Sequence, residues 1–146
     1  GYLNNPDSTQ AVLRDGWMHT GDAGYLDDQG FLFVADRYKD MIVSGGENVY
    51  SIEVERVLYL HPAVQEAAVI GVPHEQWGES VHALVVLRQG AQATAQELMQ
   101  FCREHIAGYK IPRSIDFQDQ PLPTTAVGKI RKNVIRDQCL ERLGKH

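Results

Sequence analysis

Apolar positions fall into short runs, separated by glycine, proline and acidic clusters. Residues 1–15, with Asn-Asn-Pro-Asp at 4–7 and few apolar positions, read as a loop and then a short helix over residues 8–13. Residues 16–36 predict β-structure, with a turn at residues 27–30 (Asp-Asp-Gln-Gly) before the strand-prone run Phe31, Leu32, Phe33 and Val34. Met41, Ile42 and Val43 form a β-prone run, Gly45 and Gly46 turn the chain, and a helix starts at Ser51, its expected N-cap. Val54, Val57 and Leu58 give that helix one apolar face, and Pro62 stops it at His61.

Residues 64–72 and 81–87 read as strands, the first mostly buried, joined by an expected loop over residues 73–78 that contains Trp77. Thr94 and Glu97 have capping-box spacing and open a helix expected to reach about Ile106. Leu98, Cys102 and Ile106 share its inner face, and Gly108 is its expected stop. Ile115 and Phe117 alternate with polar residues in a short strand. Residues 121–128 form a turn-rich loop, and residues 130–143 a last helix. Strands interspersed with helices predict an α+β fold: a small mixed sheet with flanking helices, preceded by a β-hairpin.

With 146 residues there is room for one domain and a short appendage. No apolar run has the length of a membrane span, and no signal peptide is visible. Cys102 and Cys139 sit in helical segments and read as buried free thiols, which suits a reducing cytoplasm. The six histidines lack metal-ligand spacing, so no protein metal site is expected. A net charge of −5 argues against general nucleic-acid binding. The charge is uneven: Lys129, Arg131, Lys132, Arg136, Arg142 and Lys145 outweigh Asp137 and Glu141, leaving residues 129–146 at +4. Most of these cations read as a solvated helix face.

Three stretches carry candidate chemistry. Thr20-Gly21-Asp22 follows a β-run, and a carboxylate there can be a turn residue or can accept two hydrogen bonds from a diol. DRYKDMIVSGGENVYSIEVE, residues 36–55, holds a glycine pair where backbone can approach a ligand closely. LPTTAVGKIRK, residues 122–132, sets Lys129 after Gly128 on an exposed loop, where a lysine is either solvated or reaches into a cleft as a point charge. In this order and spacing the three resemble the adenylate-forming enzymes: acyl-CoA synthetases, peptide-synthetase adenylation domains and luciferases. The resemblance covers nearly the whole chain and looks like the carboxy-terminal portion of such an enzyme.

It implies that residues 1–36 are the terminal β segment of a large amino-terminal domain and residues 37–146 a small mobile domain. That large domain would be the chain's own partner, and without it the apolar hairpin invites self-association. The implied reaction joins a carboxylic acid, fatty or aromatic, to coenzyme A at the expense of ATP. Mg2+ would be held mainly by the large domain, and the fragment alone would be inactive. By resemblance Lys129 bridges the substrate carboxylate and the α-phosphate, Asp22 binds the ribose hydroxyls with Thr20 beside it, and Arg37 reaches ribose or phosphate. From the residues alone, Arg37 would instead pair with Asp36 or Asp40. Lys39 matches the hinge. Gly45, Gly46 and Glu47 would line the pantetheine tunnel, with Trp77 either a core aromatic or beside the thiol path. Tyr109, Lys110 and Arg113 would meet coenzyme A, although Ile111 stands where some relatives carry a basic residue. Two rival readings are a peptide-synthetase adenylation domain that loads a carrier protein and a non-catalytic interaction module.

Overall fold

The computed structural model describes residues 2–143; Gly1 and Lys145 lie outside the described residues. The chain divides into two compact units, residues 1–39 and 40–146.

In the first unit, α1 (Pro6–Val12) starts with proline in its first turn, and the Asn5 side chain accepts from the Ser8 N–H at 3.0 Å. The short strands β1 (Leu13–Arg14) and β2 (Trp17–Met18) pair antiparallel, as do β3 (Asp22–Leu26) and β4 (Leu32–Arg37). The expected acidic turn joins β3 and β4: the Asp27 carboxylate accepts the N–H groups of Gln29 and Phe31, each at 2.9 Å. Tyr25 and Phe33 stack with centroids 5.3 Å apart on a hairpin whose apolar side chains are largely exposed.

The second unit is built on a five-stranded sheet. Its strands are β5 (Ile42–Ser44), β6 (Glu47–Val49), β7 (Val64–His74), β8 (Gly78–Leu87) and β9 (Ser114–Phe117). β8 pairs antiparallel with β7 along one edge. Its other edge is shared by β5, antiparallel at Gly78, and β9, parallel over His82–Val85. The sheet is therefore mixed, as expected. Helices α2 (Ser51–Leu60) and α3 (Ala95–Arg103) belong to one face and α4 (Lys132–Leu143) to the other.

Two-sided burial explains why residues 67–72 of β7 and 83–87 of β8 are apolar without alternation. Ala67, Val69, Val81, Ala83 and Val85 pack with Val54, Val57, Leu58, Leu98 and Cys102. Their neighbours Ala68, Ile70, Val72, Leu84 and Val86 pack with Leu122, Ile135 and Cys139. Both thiols are free and buried, and burial pushes Cys102 up to about 11. The capping box forms in full: Thr94 Oγ1 accepts from the Glu97 N–H at 3.2 Å, and Glu97 Oε2 accepts from the Thr94 N–H at 2.7 Å. The Thr94 N–H, with the Thr94 hydroxyl donating to the same oxygen at 2.9 Å, lowers the Glu97 carboxyl pKa from its ordinary value.

Several elements differ from the sequence expectation. Pro73 does not open a loop, because β7 pairs through His74 and leaves a tight turn at residues 75–77. β7 is an edge strand, where proline's missing N–H costs no ladder bond. Ser51 is the first helical residue and not the cap, which is Tyr50. α3 ends at Arg103, because the N–H groups of Glu104 and His105 bond three residues back, tightening the last turn. Gly108 does not stop that helix but opens a single 3-10 turn, Gly108–Lys110. Phe117 lies at the strand end, 40% exposed, while Ile115 is in the core. The last helix begins at Lys132 rather than Ile130, which is held in an antiparallel bridge to Thr124.

His82 is buried at the second face. Its Nδ1 shares a 2.8 Å hydrogen bond with Ser114 Oγ, and its Nε2 lies 3.8 Å from Asp116 Oδ2. Asp116 in turn lies 3.7 Å from the Arg142 guanidinium. Burial lowers the His82 pKa, helped slightly by Arg142 and opposed by Asp116. A histidine held neutral in the fold stabilises it above the ordinary imidazole pKa of about 6.5. Below that value the unfolded chain binds a proton that the folded chain declines, so stability falls with pH. In urea titrations, stability should fall from pH 7.5 to 5.5, and His82→Asn should flatten the slope. Equal slopes in the two proteins would remove His82 from the pH response.

The glycine turn after β5 is held by backbone handedness. Gly46 has φ +86°, and no other atom lies within 4 Å of where a Cβ would stand, so alanine there meets backbone strain alone. Gly46→Ala should cost about 1–2 kcal/mol in urea unfolding, and Gly46→Asn less. Equal costs would place the effect outside backbone handedness.

Candidate functional site

The glycine pair forms the two-residue turn of the β5–β6 hairpin, with φ +61° at Gly45 and +86° at Gly46. Two left-handed residues match the twist of the flanking strands, which is why glycine occupies both. The sequence-predicted hairpin thus feeds directly into α2. The Gly45 N–H donates to the Trp77 carbonyl at 3.0 Å, and a Cβ on Gly45 would sit 3.4 Å from Trp77 Cδ1. Glu47 opens β6, exposed and paired with Ser44.

Trp77 lies in the tight β7–β8 turn. Its ring stacks on His74 with centroids 4.3 Å apart, and the Arg113 guanidinium carbon lies 3.4 Å from the ring centroid. Arg113 is fixed by its own N–H, which donates to the Val81 carbonyl at 2.8 Å. Gly45, Trp77 and Arg113, distant in sequence, therefore meet at one end of the sheet. His74 joins them without a sequence signal; the short turn that brings it under Trp77 is hidden by the proline that suggests a longer loop.

Tyr109 and Lys110 sit on the 3-10 turn. Lys110 Nζ contacts both Glu53 oxygens, at 2.7 and 2.8 Å, and those hydrogen bonds raise its pKa. The pair braces this turn against α2 and engages the Lys110 charge within the fold.

Lys129 stands on a small, well-bonded turn. The Thr125 N–H donates to the Lys129 carbonyl at 2.8 Å, and the Lys129 N–H donates to Thr125 Oγ1 at 3.1 Å. Gly128 supplies the left-handed position, φ +80°. The Arg131 N–H bonds the Pro123 carbonyl at 2.8 Å, completing a short antiparallel segment. Ile130 packs towards the second core, so alternation turns Lys129 and Arg131 outward. The Lys129 ammonium makes no hydrogen bond or ion pair among the described residues. The backbone is rigid and the cation available.

Two ion pairs fix the helix that follows. Lys132 Nζ lies 2.8 Å from Glu55 Oε1 and 2.6 Å from Ser51 Oγ. The same Glu55 oxygen accepts the Val69 N–H at 2.8 Å. One turn later Arg136 pairs with Glu79, whose other oxygen accepts the Val43 N–H at 3.0 Å. Lys132 is therefore not on a solvated face: its side chain is 16% exposed. Spacing of four residues at a helix start is its only sequence signal.

In the first unit, Asp22 and Arg37 are cross-strand partners, with Nε 3.9 Å from Oδ1. The sequence points to Asp36 or Asp40 and does not foretell this cross-strand partner; Asp36 Oδ1 also accepts the backbone N–H of Arg37, at 2.8 Å. Thr20 Oγ1 accepts the Asp22 N–H at 3.2 Å, so Thr20, Asp22 and Arg37 form one exposed polar group. Lys39 lies in the 3-10 turn Tyr38–Asp40, and the first compact unit ends at it. Among the described residues no His, Cys, Asp and Glu group could hold a metal ion, and no helix is long and apolar enough to cross a membrane.

This arrangement has counterparts in known proteins. A long-chain-fatty-acid–CoA ligase of Bacillus subtilis (strain 168) is 51% identical over 139 residues, covering 94% of this chain and 25% of that protein. A feruloyl-CoA synthase of an Amycolatopsis species is 50% identical over 136 residues, covering 93% and 28%. The solved structure of an o-succinylbenzoate CoA synthetase from Bacillus subtilis, in complex with its acyl-adenylate intermediate, matches with a TM-score of 0.84 and 45% identity over 95% of this chain and 27% of that one. The chain thus spans about a quarter of the length of the relatives it matches. Residues 53–129 match the AMP-binding enzyme C-terminal domain, and the chain belongs to that family.

Proposed function

We propose that this chain is the carboxy-terminal part of an ATP-dependent acyl-CoA synthetase. The carrying observation is Lys129: an exposed ammonium, without a partner among the described residues, on a turn fixed by its own backbone bonds. In the first step a carboxylate oxygen attacks the α-phosphorus of ATP and pyrophosphate leaves with the bonding pair. Negative charge grows on the oxygens between them, and a positioned lysine stabilises it without moving a proton. In the second step the coenzyme A sulfur attacks the acyl carbon, the C–O bond to AMP breaks, and the thiol proton passes to solvent.

Residues 1–36 then end a large upstream domain, which covers the exposed β3–β4 hairpin, holds Mg2+ and supplies the acyl pocket. Residues 37–146 form the mobile domain, turning at Lys39. Asp22, Thr20 and Arg37 take the nucleotide ribose. Gly45, Gly46, Glu47, Trp77, Tyr109 and Arg113 line the coenzyme A path, with Lys110 bracing it through Glu53. The acid is fatty or aromatic, in line with the names of the relatives. Two buried free thiols suit the reducing cytoplasm.

Pyrophosphate release from ATP, Mg2+ and a panel of carboxylic acids tests this. The isolated chain should release none, and adding the upstream domain should restore release. Lys129→Ala in the restored enzyme should cut adenylation by about 10²–10³-fold. It should leave thioester formation from supplied acyl-adenylate within about threefold. Release by the chain alone, or equal loss of both steps, would overturn the assignment.

A further inference from the structure

The first two turns of α4 hold both flanks of the glycine hairpin. Before the hairpin, Glu79 links Arg136 to the Val43 N–H, two residues ahead of Gly45. After it, Lys132 binds Ser51 and Glu55 at the start of α2. Lys132 follows Lys129 by only three residues. Glu79 also lies so close over Gly71 that a Cβ there would come within 2.8 Å of its carboxyl group, so the carboxylate has little freedom.

We infer that Lys132 and Arg136 are positioning residues, which lock the Lys129 turn and the Gly45–Gly46 hairpin into one block. The catalytic consequence rests on the function proposed above; the mechanical coupling does not. A lysine that acts as a point charge loses effect steeply when misplaced, by up to about 10²-fold for a shift of the order of 1 Å. Glu55 and Glu79 are the receiving carboxylates, and both also cap strand N–H groups, so loosening the cations loosens the strands they cap.

The test uses Lys132→Met, Lys132→Arg, and the paired Glu55→Gln/Lys132→Met change, which removes both charges of the pair together. In the chain joined to its upstream domain, Lys132→Met should lower the adenylation kcat by about tenfold or more while the KM for ATP moves less than about threefold. Lys132→Arg should recover most of that loss, because it keeps the cation. In a Lys129→Ala background, Lys132→Met should have no further effect on adenylation, since it acts through Lys129. A merely structural role would lower activity in both backgrounds alike. That outcome, or unchanged adenylation, would overturn the catalytic part.

Amide hydrogen exchange on the chain itself reads the coupling without any activity. The Gly45 and Thr125 amides should exchange faster together in Lys132→Met and in the paired variant. Acceleration of only one of them would overturn the coupling. An enzyme whose wild type makes no pyrophosphate, yet shows joint acceleration, would overturn the proposed function and leave the block standing.

Discussion

The Glu55 carboxylate is the contact on which the rest of the second unit depends. It is 9% exposed, and a charge so placed needs partners. Two of them lie on other elements. The Val69 N–H on the free edge of β7 gives one bond, and the Lys132 ammonium on α4 gives the other. An edge strand eleven residues long would otherwise offer its N–H and C=O groups to any other strand. α2 covers it with side chains: Glu55 takes the Val69 N–H, and the Tyr59 hydroxyl reaches the Ala67 carbonyl at 3.4 Å. The carboxylate that blunts the edge also captures the helix from the opposite face. Removing Lys132 would take a cation from a largely buried carboxylate, a change that costs up to about 3–5 kcal/mol when a buried pair is broken.

From this follows the arrangement of the chemistry. The hairpin Gly45–Gly46, the Trp77 turn and Arg113 lie at one end of the sheet because β5 and β9 both pair with the same edge of β8. Strands are rigid supports, and residues at their ends are held more precisely than residues on free loops. The Lys129 turn is a loop, but it borrows rigidity from its own short antiparallel bridge and from α4. Lys110 shows the opposite use of a cation. Two short bonds to Glu53 turn a long flexible side chain into a brace, while Arg113, spread flat over Trp77, keeps its edge for other contacts.

Local patterns are legible in the sequence, and long-range pairings are not. The capping box of Thr94 and Glu97, the apolar stripe of α2 and the glycine hairpin are set by residues within one or two turns of each other. The mixed sheet and its flanking helices follow from the same patterns. Ser51 misleads because serine before a helix suggests a cap, whereas here its hydroxyl meets Lys132, 81 positions away. Arg37 has acidic sequence neighbours that suggest a local pair, and strand register adds Asp22 as a partner that the neighbours do not show. Pro73 suggests a loop because its tolerance in a strand depends on that strand lying at an edge. Each miss turns on a partner that no periodicity encodes.

The basic end of the chain shows why charge counts say little about function. Six cations in residues 129–146 suggest one solvated or ligand-facing surface. Among the described ones, Lys132, Arg136 and Arg142 are paired with Glu55, Glu79 and Asp116. These pairs serve the docking of α4, and the first two are screened little by salt because they are partly or largely buried. Lys129 and Arg131 alone point outward with no partner among the described residues. Composition assigns all six the same weight, but the structure divides the five described ones by what already neutralises them. A cation held in place and left without a counter-charge is the one that an incoming anion meets, and here that site is the tip of the turn ahead of α4.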